Sequence, residues 1–133
     1  MAEQSAPRAR PLSPHLQIYR WPVTMATSIA HRVTGVALSA GTILLAWWLI
    51  AAAMGADAYH VFAETAANPV GQIVLFGLVW SLTYHLFNGI RHLAWDIGHG
   101  FAVSTANRSG VVVVIVSALA TLGILVLTHG ISR

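Results

Sequence analysis

The chain has 133 residues, of which 56% are hydrophobic and 8% charged, with a mean hydropathy of +0.69. Soluble domains carry about 25% charged residues, so this composition excludes an ordinary water-soluble fold and predicts an all-α membrane protein. All seven positive charges are arginine, there is no cysteine and there are seven histidines; disulfides and thiolate-held clusters are excluded, and a redox metal would fall to imidazole.

Residues 1–21 form an arm rich in Pro and Arg, expected at the cytoplasmic surface. It lacks the apolar stretch of a cleavable signal, so the first span is expected to target the chain. Residues 22–133 read as one transmembrane anchor domain with helices at about 22–53, 70–97 and 107–129. Each holds a charge-free run: 22 residues from Val33 to Met54, 21 from Val70 to Ile90 and 19 from Gly110 to Thr128. A bilayer core of about 30 Å takes roughly 20 apolar helical residues, and helices satisfy their own backbone groups in lipid. Pro22 can open the first helix. The connection from Gly55 to about Pro69 carries Asp57 and Glu64. Gly98 and Gly100 end the second helix, and Asn107 or Ser109 caps the third.

If the helices alternate, Arg8, Arg10, Arg20, Arg32, Arg91 and Arg108 share one side, against Arg133 opposite. The positive-inside rule puts the N-terminus and the 91–108 region in the cytoplasm or matrix and the C-terminus outside. This placement accounts for the basic balance, a pI of about 10.2, without a nucleic-acid partner.

Polar groups inside a membrane are costly and so are functional candidates. Ser28, His31 and Arg32 share one face of the first helix, continued by the small residues Gly35, Ser39 and Thr42. His85, Gly89, His92 and Asp96 form a stripe on the second. His85 lies about 17 Å inside the end near Asp96, and His31 about 13 Å in from Pro22. Gly89 leaves room beside His85 for a flat macrocycle, and histidine-held haem suits a cysteine-free redox site. His92 shares a helix face with His85 about 10.5 Å away and cannot be its trans ligand. On these residues alone His85 is either a haem ligand or a hydrogen-bonding histidine. Arg91 points away from this stripe and reads as a headgroup or partner contact. Trp21 and Trp95 fit an interfacial belt; Trp47, Trp48 and Trp80 read as lipid- or partner-facing. His15, His60 and His99 lie outside the spans, and His129 near the outer end.

The segments RPLSPHLQIYRWPVTMATSIAHRVTG and YHLFNGIRHLAWDIGHG resemble the two signature regions of the cytochrome b subunits of succinate dehydrogenase. They cover about a third of the chain, and S-x-x-H-R-x-T-G with H-x-x-x-G-x-R-H-x-x-x-D is a specific pair. The resemblance implies that His85 is an axial ligand of haem b, shared with a histidine of a second small membrane anchor. It puts His31 and Arg32 near the haem propionates, makes His92 another haem-proximal histidine, and places Ser28 with Arg32 at the ubiquinone site. It makes Asp96 a nearby carboxylate, as structural support or proton-path member. It also implies a flavoprotein and an iron–sulfur subunit as partners, in the bacterial inner or mitochondrial inner membrane. The chain alone would then be non-catalytic. Rival expectations are a fumarate reductase anchor, a haem-free quinone anchor, and a small transporter, whose midplane charges are missing from these runs.

Overall fold

A computed structural model of the chain describes residues 19–131, with side chains described as far as residue 128. Most of the N-terminal arm, His15 with it, and the His129 side chain lie outside the described residues. Among the described residues there are four helices and no strand: α1 (Val23–Met54), α2 (Ala56–Ala67), α3 (Pro69–Asp96) and α4 (Val103–Ile131). At 32 residues, α1 runs about 48 Å, longer than the hydrocarbon core. α1, α3 and α4 are each long and apolar enough to cross a membrane.

The boundaries follow local chemistry. Pro22 precedes α1 with φ −71° and ψ 151°, leaving a proline-free first turn. Gly55, at φ +107°, separates α1 from α2 in a conformation that L side chains avoid. Asn68 then caps α3: its Oδ1 accepts from the Gly71 N–H at 2.9 Å, with Pro69 in the first turn.

Two local expectations change. The 55–69 connection is largely helical, because Gly55 and the Asn68–Pro69 pair bracket twelve helix-compatible residues whose Phe62 packs edge-on against Trp47 of α1, centroids 5.0 Å apart. The last helix starts at Val103, a turn before Asn107, so Asn107 and Ser109 sit inside it and neither caps it.

The interior inverts that of a soluble protein. Ala51, Tyr84, Ala106 and Val113 are its buried hydrophobic residues among those described, alongside Thr27, Thr34, Ser81, Thr83, Asn88, Arg91, Ser117 and Thr121. Large apolar side chains such as Val36, Ile43, Leu82 and Leu119 are exposed. Lipid tails are as apolar as leucine, so helices associate through small residues and interhelical hydrogen bonds. Thr83 Oγ1 lies 2.8 Å from Thr121 Oγ1 and donates to the Ser117 carbonyl at 3.3 Å, tying α3 to α4.

Candidate haem and quinone site

The first turns of α1, the last of α3 and the first of α4 meet at one end of the bundle. Arg20, Arg32, Arg91 and Arg108 lie there, with Asp57 and Glu64 on α2 at the opposite end.

Imidazoles line this end. The His31 ring stacks on His85 with centroids 3.8 Å apart and planes 14° apart. His92 lies 5.1 Å from His31, and Trp95 meets His92 edge-on at 4.9 Å. The structure thus joins the stripes of α1 and α3, with all three histidines half-buried.

His85 is oriented from α1. Its Nδ1 lies 3.2 Å from the His31 carbonyl and 3.2 Å from Thr34 Oγ1. A carbonyl can only accept, so Nδ1 donates in this contact, and in a neutral imidazole Nε2 then keeps its lone pair. Thr34 is itself fixed, donating to the Ala30 and His31 carbonyls at 2.9 Å. A Cβ on Gly35 would stand 3.1 Å from His85 Cε1, so any larger residue at 35 would make the imidazole or α1 give way by a few tenths of an ångström. A Cβ on Gly89 would meet nothing within 4 Å, so space is open one turn along. A histidine whose Nδ1–H binds a backbone carbonyl has the tautomer and ring orientation of a metal ligand through Nε2. His31 Nδ1 is buried without a partner. This donor set fits a haem.

The other predicted residues are less enclosed. Ser28 is half-buried, while Arg32 and Asp96 are exposed. Among the described residues none of the three has a hydrogen-bond or ion-pair partner. Ser28 and Arg32 project from one face of α1, free to donate to a molecule lying against it.

Arg91 corrects its sequence reading. It is 6% exposed, turned into the bundle rather than toward headgroups. Nε donates to Ser109 Oγ at 2.9 Å and Nη2 to the Ala106 carbonyl at 2.8 Å. Nη1 donates to Thr27 Oγ1 at 3.3 Å and Asn88 Oδ1 at 3.2 Å, and Cζ stands 4.1 Å over the Trp95 ring. The missed signal was spacing. Ser81, Tyr84, Asn88 and Arg91 recur at three and four residues, forming a second polar stripe beside the histidine one.

Three spans with histidines gathered at one end define a class, the multi-pass membrane anchor. Comparison with known proteins narrows it. The family described as succinate dehydrogenase/fumarate reductase transmembrane subunit matches residues 6–124. The succinate dehydrogenase cytochrome b556 subunit of Paracoccus denitrificans is 46% identical over 100 residues, 75% of this chain and 77% of that one. The mitochondrial cytochrome b560 subunit of Sus scrofa is 44% identical over 117 residues, covering 86% and 69%. The cytochrome b556 subunit of Rickettsia felis is 44% identical over 113 residues, covering 85% and 88%. The chain belongs to this family, as a membrane anchor of the succinate dehydrogenase cytochrome b type. Its three apolar helices and its bacterial and mitochondrial relatives make it a multi-pass inner-membrane protein, one subunit of a larger complex.

Proposed function

We propose that this chain shares haem b with a second small anchor and forms part of the ubiquinone-reduction site of succinate:ubiquinone oxidoreductase. The observation that carries the reading is the 3.2 Å approach of His85 Nδ1 to the His31 carbonyl, a contact Nδ1 can make only as donor, which in a neutral imidazole leaves Nε2 as a ligand nitrogen beside the gap at Gly89. His31, Arg32 and His92 would hold the propionates, since buried carboxylates require donors or cations. When bound, the haem supplies a one-electron store next to the quinone.

Ser28 and Arg32 act on the quinone itself. The hydroxyl and the guanidinium donate to its carbonyl oxygens and stabilise the negative charge that develops there on reduction. Asp96 is the nearest acidic group along the α3 stripe and serves as structural support or as part of a proton path. Succinate oxidation belongs to partners, a flavoprotein and an iron–sulfur subunit, because a chain without cysteine has no thiolates for clusters. The arginine-rich end faces the cytoplasm or matrix, and the C-terminus the opposite side.

The deciding measurement is a reduced-minus-oxidised spectrum of the purified complex. His85→Ala loses the b-type signal while the subunits still copurify; a b-type signal that persists in His85→Ala would mean that the haem is held without this residue, and a wild-type complex lacking the signal would leave a haem-free quinone anchor. The family description also names fumarate reductase, which supports the reverse reaction as a second reading. The quinone species extracted with the native complex separates the two.

A further inference from the structure

A buried cation normally has a carboxylate partner, yet among the described residues the one acid–base pair is His60 with Glu64, exposed on α2. Arg91 keeps its charge inside the bundle with neutral partners. Such a group is costly, and apolar packing often replaces a buried charge without loss. What an apolar side chain cannot do is donate in several directions at once. The guanidinium has five N–H donors in a rigid fork, and Arg91 directs them to Thr27 on α1, Asn88 on α3, and Ala106 and Ser109 on α4.

The contact on α1 is the informative one. Thr27 is 4% exposed and is held twice, its hydroxyl by Arg91 at 3.3 Å and its carbonyl by the Tyr84 hydroxyl at 2.9 Å. One turn on, the His31 carbonyl takes the His85 Nδ1–H. Tyr84 and His85, adjacent on α3, therefore donate to α1 carbonyls four residues apart. Together these bonds fix the register of α1 against α3 at the level of Ser28, His31 and His85. A slip of one residue would move Ser28 by about 1.5 Å and turn it about 100° around the helix.

We propose that Arg91 and Thr27 are positioning residues for the quinone and haem site, Arg91 acting through Thr27 to set where Ser28 and His31 stand relative to His85; this rests on the function proposed above. Neither residue touches the quinone in this scheme. Their effect reaches it through the placement of α1.

The test uses the complete purified complex carrying Thr27→Val, Arg91→Lys or Arg91→Gln. Thr27→Val keeps side-chain volume and removes only the hydroxyl, so it remains informative if Arg91→Gln does not assemble. At wild-type haem content and thermal stability, Thr27→Val is expected to raise the KM for a short-chain ubiquinone about three- to tenfold, the equivalent of one hydrogen bond. The kcat with an artificial acceptor that bypasses the quinone stays constant, and the haem EPR g-values shift. Arg91→Lys, which keeps the charge but loses the fork, falls between wild type and Thr27→Val or Arg91→Gln. Wild-type quinone KM and g-values in both Thr27→Val and Arg91→Lys, with Arg32→Leu still abolishing quinone reduction, overturn the proposal alone. If Arg32→Leu and His85→Ala are also without effect, the functional reading beneath it is what fails.

Discussion

A single methyl group probes how tightly the imidazole at position 85 is held. Gly35→Ala places a Cβ 3.1 Å from His85 Cε1, so either the ring tilts or α1 moves away. The expected outcome is a complex that assembles with reduced haem content or a displaced b-type band, read by optical difference spectroscopy. Gly89→Ala, where nothing lies within 4 Å, leaves chain packing intact and lowers haem content only if the open space holds the macrocycle. For the quinone, Arg32→Leu should abolish ubiquinone reduction while succinate oxidation by an artificial acceptor persists; equal loss of both would indicate failed assembly. The histidine stripe was legible because His85, Gly89, His92 and Asp96 stand out against an apolar helix. Arg91 was misread for a physical reason. A helix shows its faces in the sequence, but not which neighbour each face meets, and Arg91 differs from the expected headgroup contact only by the direction it turns.

At the level of elements, hydroxyl groups join α3 to α4 along the middle of the bundle. Thr83 of α3 meets Thr121 Oγ1 at 2.8 Å and donates to the Ser117 carbonyl at 3.3 Å, both on α4. Thr121→Val conserves shape and deletes the Thr83 partner; interhelical hydrogen bonds in membranes average about 0.6 kcal/mol, with a maximum near 1.7. The expected loss is therefore about 1 kcal/mol in a detergent-denaturation titration of the complex, with the haem spectrum unaltered. The three long helices were legible because length and hydropathy suffice to identify a span. The twelve-residue α2 was not, because it is too short and too polar to span and its packing partners, Trp47 of α1 and the start of α3, are distant in the sequence pattern.

For the molecule as a whole, charge and depth agree. The arginines at the start of α1, the end of α3 and the start of α4 lie at one end, and the acidic residues of α2 at the other. A reporter fused within the 98–102 turn should therefore label from the cytoplasmic or matrix face, and one placed in α2 from the opposite face; the reverse pattern would turn the proposed quinone site to the wrong side of the membrane.

The hydroxyl-rich interior carries a consequence for handling the protein. Urea and guanidinium act largely by solvating surface that folding hides, and few apolar side chains of this bundle are hidden. Threonine-to-carbonyl and threonine-to-threonine contacts are vulnerable instead to any small amphiphile that partitions into the hydrocarbon and brings an O–H of its own. Short-chain alcohols at concentrations harmless to soluble enzymes should loosen α4 from α3, and sugar-headed detergents with bulky, excluded hydroxyls should leave the pair together.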